Sequence, residues 1–499
     1  MTNQRENPPM RLAIAYPPLP SEKGVPLLSQ NRQFQWFTRP TYIYPVVPAQ
    51  AATQARAAGH DVAWLDGIAS EWTPEEFDAR LDAFAPEVVM LETKTPVVRR
   101  HWAYIRELKA RHPGVRVVLV GDHVTALPRE SFEACPVDYV LTGGDYDFLL
   151  VNLLEVLRAA GGGLPDTARL EPGVYWRDAD GMVRDSGPFR LDHDLKTLPW
   201  IDRELTCWPL YAERNGNFRK TPGTYIMSGR DCWHGKCTFC SWTTLYPTYR
   251  VRDPVEVVDE IGDLISRYGI REIMDDTGSL PAGAWLKRFC GEMIARGYNR
   301  KIRIDCNMRF GCLDEETYRL MRKAGFRLVL FGLESANQAT LDRLQKGLTV
   351  AQIEEGVKWA ARAGLDVHVT VMFGYPWEGE GEIAKTVRLA RSLLRRGHAS
   401  TLQVTMVVPY PGTPLFRELD QAGLLLTREW DDYDMRRQVM RSGVPEARIK
   451  AAVREVYQAF LHPETVVRRL LSTRDPVGDV KFYWRGLLSL VGHLRDFTK

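Results

Sequence analysis

Three cysteines, Cys232, Cys237 and Cys240, stand in the run Gly-Arg-Asp-Cys-Trp-His-Gly-Lys-Cys-Thr-Phe-Cys, so three thiols fall within nine residues. Thiolates are soft ligands, and an iron–sulfur cubane anchored by three of them keeps its fourth iron open to a small molecule. That arrangement suits chemistry more than electron storage. A closed zinc site needs a further cysteine or histidine at short spacing, and none follows soon after Cys240. A plant-type two-iron centre shares the spacing but takes its fourth cysteine a few tens of residues on, and Cys290 is too far for a comfortable fit. Another metal, or three buried cysteines without chemistry, stay open alternatives to the open-site cubane.

Such a loop needs a frame to position it. A strand at 224–227 precedes the cysteines, and strands at 272–275, 302–306, 327–331, 366–373 and 402–407 follow, each after a helical stretch. Asp253 and Pro254 form an N-cap and first-turn proline for a helix that Gly269 ends. Six such βα units predict a partial barrel, with the ligand site at the carboxyl ends of its strands, where the cysteine loop lies. Around 302–309, Ile302, Ile304, Cys306 and Met308 alternate with Arg303, Asp305, Asn307 and Arg309, which turns the polar side to the lumen. His368 and Thr370, and Gln403 and Thr405, repeat this more weakly on two later strands. Arg303, Asp305, Asn307, His368 and Gln403 are therefore candidate catalytic residues. The alternative is that Arg303 and Asp305 pair with each other on a half-exposed strand.

Upstream, strands at 12–16, 60–65, 87–91, 115–120 and 139–142 alternate with helices such as 46–58 and 97–111, the pattern of a doubly wound Rossmann-like domain. Gly59 and Gly114 sit where helices stop. The long loop 17–44 leaves the carboxyl end of the first strand and is expected to cover a cofactor or substrate. The expected organisation is this domain over 10–160, a linker over 161–220, the barrel over 221–415 and a helical region over 416–499. Within the last, the aromatic and basic segment 481–494 either caps the barrel or lies on a membrane surface.

With 499 residues and a net charge of +3, the chain has ample core and no electrostatic footprint for nucleic acid. The polar first ten residues and the lack of an 18-residue apolar run predict a cytoplasmic protein without a membrane span. Eight cysteines in such a chain read as reduced thiols and a metal site.

The wording around the cysteines resembles the radical SAM superfamily, and specifically its cobalamin-binding class, over nearly the whole chain. The matching elements, in order, are Phe239 before the third cysteine, the Asp275-Asp276 pair, Gly332-Leu333-Glu334-Ser335, Gly374-Tyr375-Pro376-Trp377-Glu378 and Pro409-Tyr410-Pro411-Gly412-Thr413. One departure concerns spacing: that superfamily usually has three residues between the first two cysteines, and here Trp233 to Lys236 make four.

The resemblance implies a [4Fe-4S] cluster on Cys232, Cys237 and Cys240 whose open iron chelates the amino and carboxylate groups of S-adenosylmethionine. It places Phe239 near the adenine, and Asp276, Arg309, Glu334 and Gly374, with Asp275 and Ser335 beside them, around the methionine and ribose. In the first domain it implies cobalamin, held by Thr93 and Thr95, by Gly121, Asp122 and His123, and by Gly143 and Gly144. Corrinoid sheets of the methionine synthase type carry a cobalt-ligating histidine after the first strand; here Tyr16-Pro17-Pro18-Leu19-Pro20 has none. His123 is then expected on the nucleotide tail or its loop in preference to cobalt. The implied activity is methyl transfer from methylcobalamin to an unactivated carbon of a small-molecule or lipid substrate, after SAM cleavage to a 5′-deoxyadenosyl radical. An electron donor such as flavodoxin or ferredoxin is the expected partner. Oxidative cyclisation or rearrangement without methyl transfer is the alternative, and a non-catalytic sensor a third.

Overall fold

The computed structural model describes residues 7–28, 34–230 and 232–462; segment 481–494 lies outside them. The chain forms two compact units. Among the described residues, one runs to Tyr211 and takes in 244–247 and 410–412; the other comprises 212–243, 248–409 and 413–462.

In the first unit the strands are β1 (Arg11–Tyr16), β2 (Val25–Pro26), β3 (Trp36–Phe37), β4 (Asp61–Asp66), β5 (Val88–Glu92), β6 (Arg116–Val120), β7 (Tyr139–Leu141), β8 (Val174–Arg177) and β9 (Val183–Asp185). The main sheet runs β4-β1-β5-β6-β7-β8-β9, parallel as far as β7. Every residue of β5 is buried, as expected of a strand covered by helices on both faces. The β4-β1-β5-β6-β7 order reverses direction between β1 and β5, and ligands of such sheets bind at that switch point, beyond the carboxyl ends.

Within 161–220, where the sequence offers a short strand-like segment at 173–183 leading into a linker, the chain forms the hairpin β8–β9. It pairs antiparallel with β7 and extends the sheet.

In the second unit β10 (Gly223–Ile226), β11 (Glu272–Asp275), β12 (Arg303–Met308), β13 (Phe326–Glu334), β14 (Asp366–Phe373) and β15 (Thr401–Met406) form one parallel sheet in sequence order. This is the expected partial (β/α)6 barrel, and the whole is the α/β class read from the sequence. Helix starts follow local chemistry: the Asp253 carboxylate accepts from Val255 N at 2.8 Å, and Gly269 ends that helix at φ 64°. On β14, Val367, Val369, Val371 and Phe373 are buried while His368, Thr370 and Met372 are only partly so. The polar side therefore faces the lumen. Past Thr413, helix Glu446–Gln458 packs on the barrel: Ile449 lies against Gly374, and the Tyr457 hydroxyl meets both N (3.1 Å) and O (3.3 Å) of Val404. That hydroxyl satisfies backbone groups on the edge strand β15, which no further strand covers among the described residues.

Candidate functional site

At the carboxyl end of the second sheet, the loop after β10 is fixed before the cysteines begin. Asp275 at the end of β11 accepts from the Ser228 hydroxyl, from Thr277 N at 3.0 Å and from the Thr277 hydroxyl at 2.5 Å. Burial raises its pKa, and these donors oppose the rise. Asp275 is thus a brace for the loop, while Asp276 beside it receives the Asn307 amide at 3.5 Å.

Within the loop, Cys240 N donates to Cys237 O at 3.3 Å, and Thr238 N donates to Leu344 O at 3.1 Å. Burial raises the Cys237 pKa; Lys346 and Arg309 pull it down, and Glu334 and Cys232 add to the rise. Two cations beside thiols suit an anionic iron–sulfur centre. Among the described residues no group of three or more His, Cys, Asp or Glu closes on a single ion. Thiols that hold different irons of one cluster have no need to converge on one point.

Lys346 is the residue the motifs missed. It is 9% exposed, its Nζ lies 2.7 Å from Glu334 Oε1, and it sits 5.6 Å from the Phe239 ring centroid. Burial disfavours its charge, but Glu334 and Cys237 outweigh burial and raise its pKa. Glu334 reaches it from an irregular strand end: the β13–β14 register shifts between Gly332 and Glu334, and Glu334 has φ 64°. A non-glycine residue held there is the kind of strain that collects at functional sites. The only sequence signal for Lys346 was a Lys-Gly step after a short helix, which is too common to single out.

Ser335 and Gly374 have other duties. The Ser335 hydroxyl donates to Glu378 Oε1 at 2.6 Å, Thr340 does the same at 2.6 Å, and Asn337 joins at 3.2 Å. This buried network ties the loop after β13 to the loop after β14. Gly374, at φ 102°, lies where a β-carbon would meet Ile449 at 3.0 Å. Next to it, the buried Tyr375 hydroxyl has no hydrogen-bond partner among the described residues and lies close enough to Glu334, Glu378 and Cys237 to be perturbed by them. An unsatisfied hydroxyl there leaves a donor for a bound group.

The lumen candidates separate by depth. Asn307 belongs to the carboxyl end. Asp305 belongs to a buried ion cluster at the opposite end: Arg327 contacts Asp305, lies 2.8 Å from Glu272 and 3.4 Å from Asp366. Arg327 can do so because the β12–β13 register slips between Ile304 and Asp305 and leaves it the extra residue. Burial and Glu272 push the Asp305 carboxyl up despite Arg327. Arg303 instead donates to Asn299 O at 3.3 Å, so the alternative of an Arg303–Asp305 pair gives way to Arg327 as the partner of Asp305. His368 lies midway, its Nδ1 2.7 Å from the Thr401 hydroxyl, and burial lowers its pKa to about 4; Gln403 lies on the adjacent strand with partial exposure.

In the first unit, the predicted cobalamin residues line the carboxyl ends of β5, β6 and β7. The Thr93 hydroxyl lies 2.7 Å from His101 Nδ1, while the buried His101 Nε2 has no hydrogen-bond partner among the described residues, and burial lowers that ring's pKa to about 3. A neutral imidazole with an unsatisfied nitrogen beside Thr93, at the switch-point side of the sheet, fits a polar ligand there. Gly121 has φ 122°, and any β-carbon would overlap Thr93 O, so only glycine lets β5 and β6 approach this closely. Asp122 accepts from His123 N at 2.7 Å, and burial raises its pKa. His123 is wholly buried, with Nδ1 3.1 Å from Thr95 Oγ1 and Nε2 3.0 Å from Glu130. Both ring nitrogens are engaged, which disfavours cobalt ligation. Gly143 N donates to Thr125 Oγ1 at 3.0 Å, and Gly144 packs against the Tyr246 ring. Across the switch point, the Tyr16 hydroxyl donates to Glu92 at 2.5 Å; burial raises the Glu92 pKa to about 7.

Two family models match the chain: the radical SAM superfamily over residues 226–390 and the B12 binding domain over 38–148. The chain is 28% identical to a protein of Pyrococcus horikoshii named uncharacterized methyltransferase PH0819, over 86% of this chain and 90% of that protein. It is also 28% identical to an anaerobic magnesium-protoporphyrin IX monomethyl ester cyclase of Cereibacter sphaeroides, over 73% of this chain and 58% of the cyclase. Its fold is shared with the radical S-adenosylmethionine methyltransferase TsrM of Kitasatospora setae (TM-score 0.66, 17% identity, 90% of this chain and 89% of that one). It is shared as well with the cobalamin-dependent S-adenosylmethionine radical enzyme OxsB (TM-score 0.70, 14% identity, 97% and 72%). The chain thus carries a B12 binding domain and a radical SAM domain in one polypeptide, and the cofactors such domains take are cobalamin and a [4Fe-4S] cluster with S-adenosylmethionine.

Proposed function

We propose that the protein is a cobalamin-dependent radical SAM methyltransferase acting on an unactivated carbon of a small-molecule or lipid substrate. The observation that carries this reading is the presence, in one chain, of a B12-binding sheet and a barrel whose cysteine loop faces a cation-rich, strained strand end. When bound, the cofactors supply a deoxyadenosyl radical for hydrogen abstraction and a cobalt-borne methyl group for transfer.

The chain's own residues bind and orient. Cys232, Cys237 and Cys240 anchor the cluster. Phe239 offers an apolar face to the adenine. Arg309, Lys346 and Glu334 present charges matched to an amino acid's carboxylate and ammonium, and Asp276 serves the ribose. Thr93, Thr95, Gly121, Asp122, Gly143 and Gly144 contact cobalamin, with His123 holding their loop. Asn307, His368 and Gln403 face the substrate from the lumen. A flavodoxin or ferredoxin supplies electrons.

Anaerobic turnover with SAM, cobalamin and a reductant should yield both S-adenosylhomocysteine and 5′-deoxyadenosine, with a product heavier by one methylene unit. Formation of 5′-deoxyadenosine alone overturns methyl transfer and favours the second reading, oxidative cyclisation or rearrangement, which the cyclase relatives support. Cys232→Ala should abolish SAM cleavage while corrinoid binding persists.

A further inference from the structure

The unusual cysteine spacing has a structural counterpart. The four residues between Cys232 and Cys237 include Gly235 at φ 59°, and the two before it reach out of the loop. Trp233 lies under the Arg309 guanidinium, 5.5 Å from ring centroid to carbon. His234 Nε2 lies 2.7 Å from Gln345 O, and since a carbonyl only accepts, Nε2 carries the proton.

Gln345 belongs to a turn, 344–347, that follows helix Gln338–Arg343. All four of its carbonyls are taken: Leu344 O by Thr238 N at 3.1 Å, Gln345 O by His234, Lys346 O by Arg309, and Gly347 O by Arg309 Nη2 at 3.2 Å. Gln345 has φ 52° and Gly347 φ 60°, a backbone that aims successive carbonyls at neighbours a regular helix end would not reach. The side chain of this same turn, Lys346, holds Glu334. The cysteine loop and the Glu334–Lys346 pair are therefore joined through one turn, and His234 gives a direct side-chain hydrogen bond from the segment between the first two cysteines to that turn.

We propose that His234 is a positioning residue: its bond to Gln345 O sets the placement of the cluster loop relative to the charges that receive the amino acid end of SAM. The inference rests on the cluster reading of the three cysteines. The one-residue extension of the spacing is then the device that lets the loop reach the turn.

The test uses the full-length protein, reconstituted anaerobically, as His234→Ala and His234→Gln. Glutamine places an N–H close to the position of Nε2. His234→Ala should keep its full iron content but show a KM for SAM raised about fivefold, the scale of one lost hydrogen bond, with little change in kcat. The change that SAM addition produces in the electron paramagnetic resonance spectrum of the reduced cluster should be broadened. His234→Gln should restore both.

An unchanged KM and spectrum in His234→Ala would overturn the proposal, as would a glutamine variant no better than the alanine one. Loss of iron from both variants would overturn it too, assigning His234 to folding of the loop. Should Cys232→Ala retain the same iron content as the parent, the cluster reading itself fails, an outcome distinct from all of these.

Discussion

The two ends of the second sheet use the same kinds of side chain to opposite purposes. At the amino end, Arg327 sits among Glu272, Asp305 and Asp366, with Arg219 also 3.3 Å from Asp366. Glu272 further accepts from Arg219 N and Lys220 N at 3.1 and 2.7 Å. The opposite charges there pair with one another. At the carboxyl end, Lys346 and Glu334 form one pair beside thiols, on a strained strand end, with the Tyr375 hydroxyl left unsatisfied. That end is organised to receive something. Barrels of this kind place chemistry at the carboxyl face and stability at the amino face.

The sharpest way to break this contrast is to remove one cation from each end. Arg327→Met leaves the buried Glu272 and Asp305 carboxylates without their counter-charge and should cost about 3–5 kcal/mol in denaturant unfolding. Lys346→Met should cost less, about 1–3 kcal/mol, and should weaken SAM binding about tenfold in equilibrium dialysis of the reconstituted protein. Equal destabilisation with unchanged SAM affinity would erase the distinction between the ends.

A titratable version of the amino-end arrangement exists in the first unit. His193 lies between Asp145 (3.0 Å) and Glu171 (2.8 Å) and stacks on Phe148. Burial opposes its charge, but bonds to both carboxylates outweigh this and raise its pKa to about 9. A histidine pKa above its unfolded value near 6.5 adds stability that is complete below that value and lost as pH rises to about 9. Thermal midpoints of wild type and His193→Gln should therefore converge between those pH values; a constant gap would show that the imidazole acts by packing and not by charge.

The smallest effect concerns the edge of the barrel. Tyr457→Phe removes one hydroxyl from Val404 and should cost about 1 kcal/mol. Faster hydrogen exchange confined to β15 would check that the loss is local.

Much of this was legible because βα folds are punctuated. Asp253-Pro254 and Gly269 bracket their helix as their chemistry requires, and Glu272–Asp275 and Asp366–Phe373 are the strands their apolar runs imply. What escaped depends on register and backbone direction. Alternation along β12 does not reveal that a slip in β12–β13 sets Arg327 beside Asp305. Motif positions likewise carry no record that the Ser335 hydroxyl and the Asp275 carboxylate already bond their neighbours.

The turn at 344–347 also bears on how such a site drifts over generations. Its grip on the cysteine loop runs through main-chain oxygens, which every amino acid possesses. Position 345 needs only a residue tolerant of φ near 52°, so Asn, Asp or Gly should serve there as well as Gln. Relatives could rewrite the side chains around the cluster wholesale and keep the same scaffold, leaving no consensus for a motif search to find.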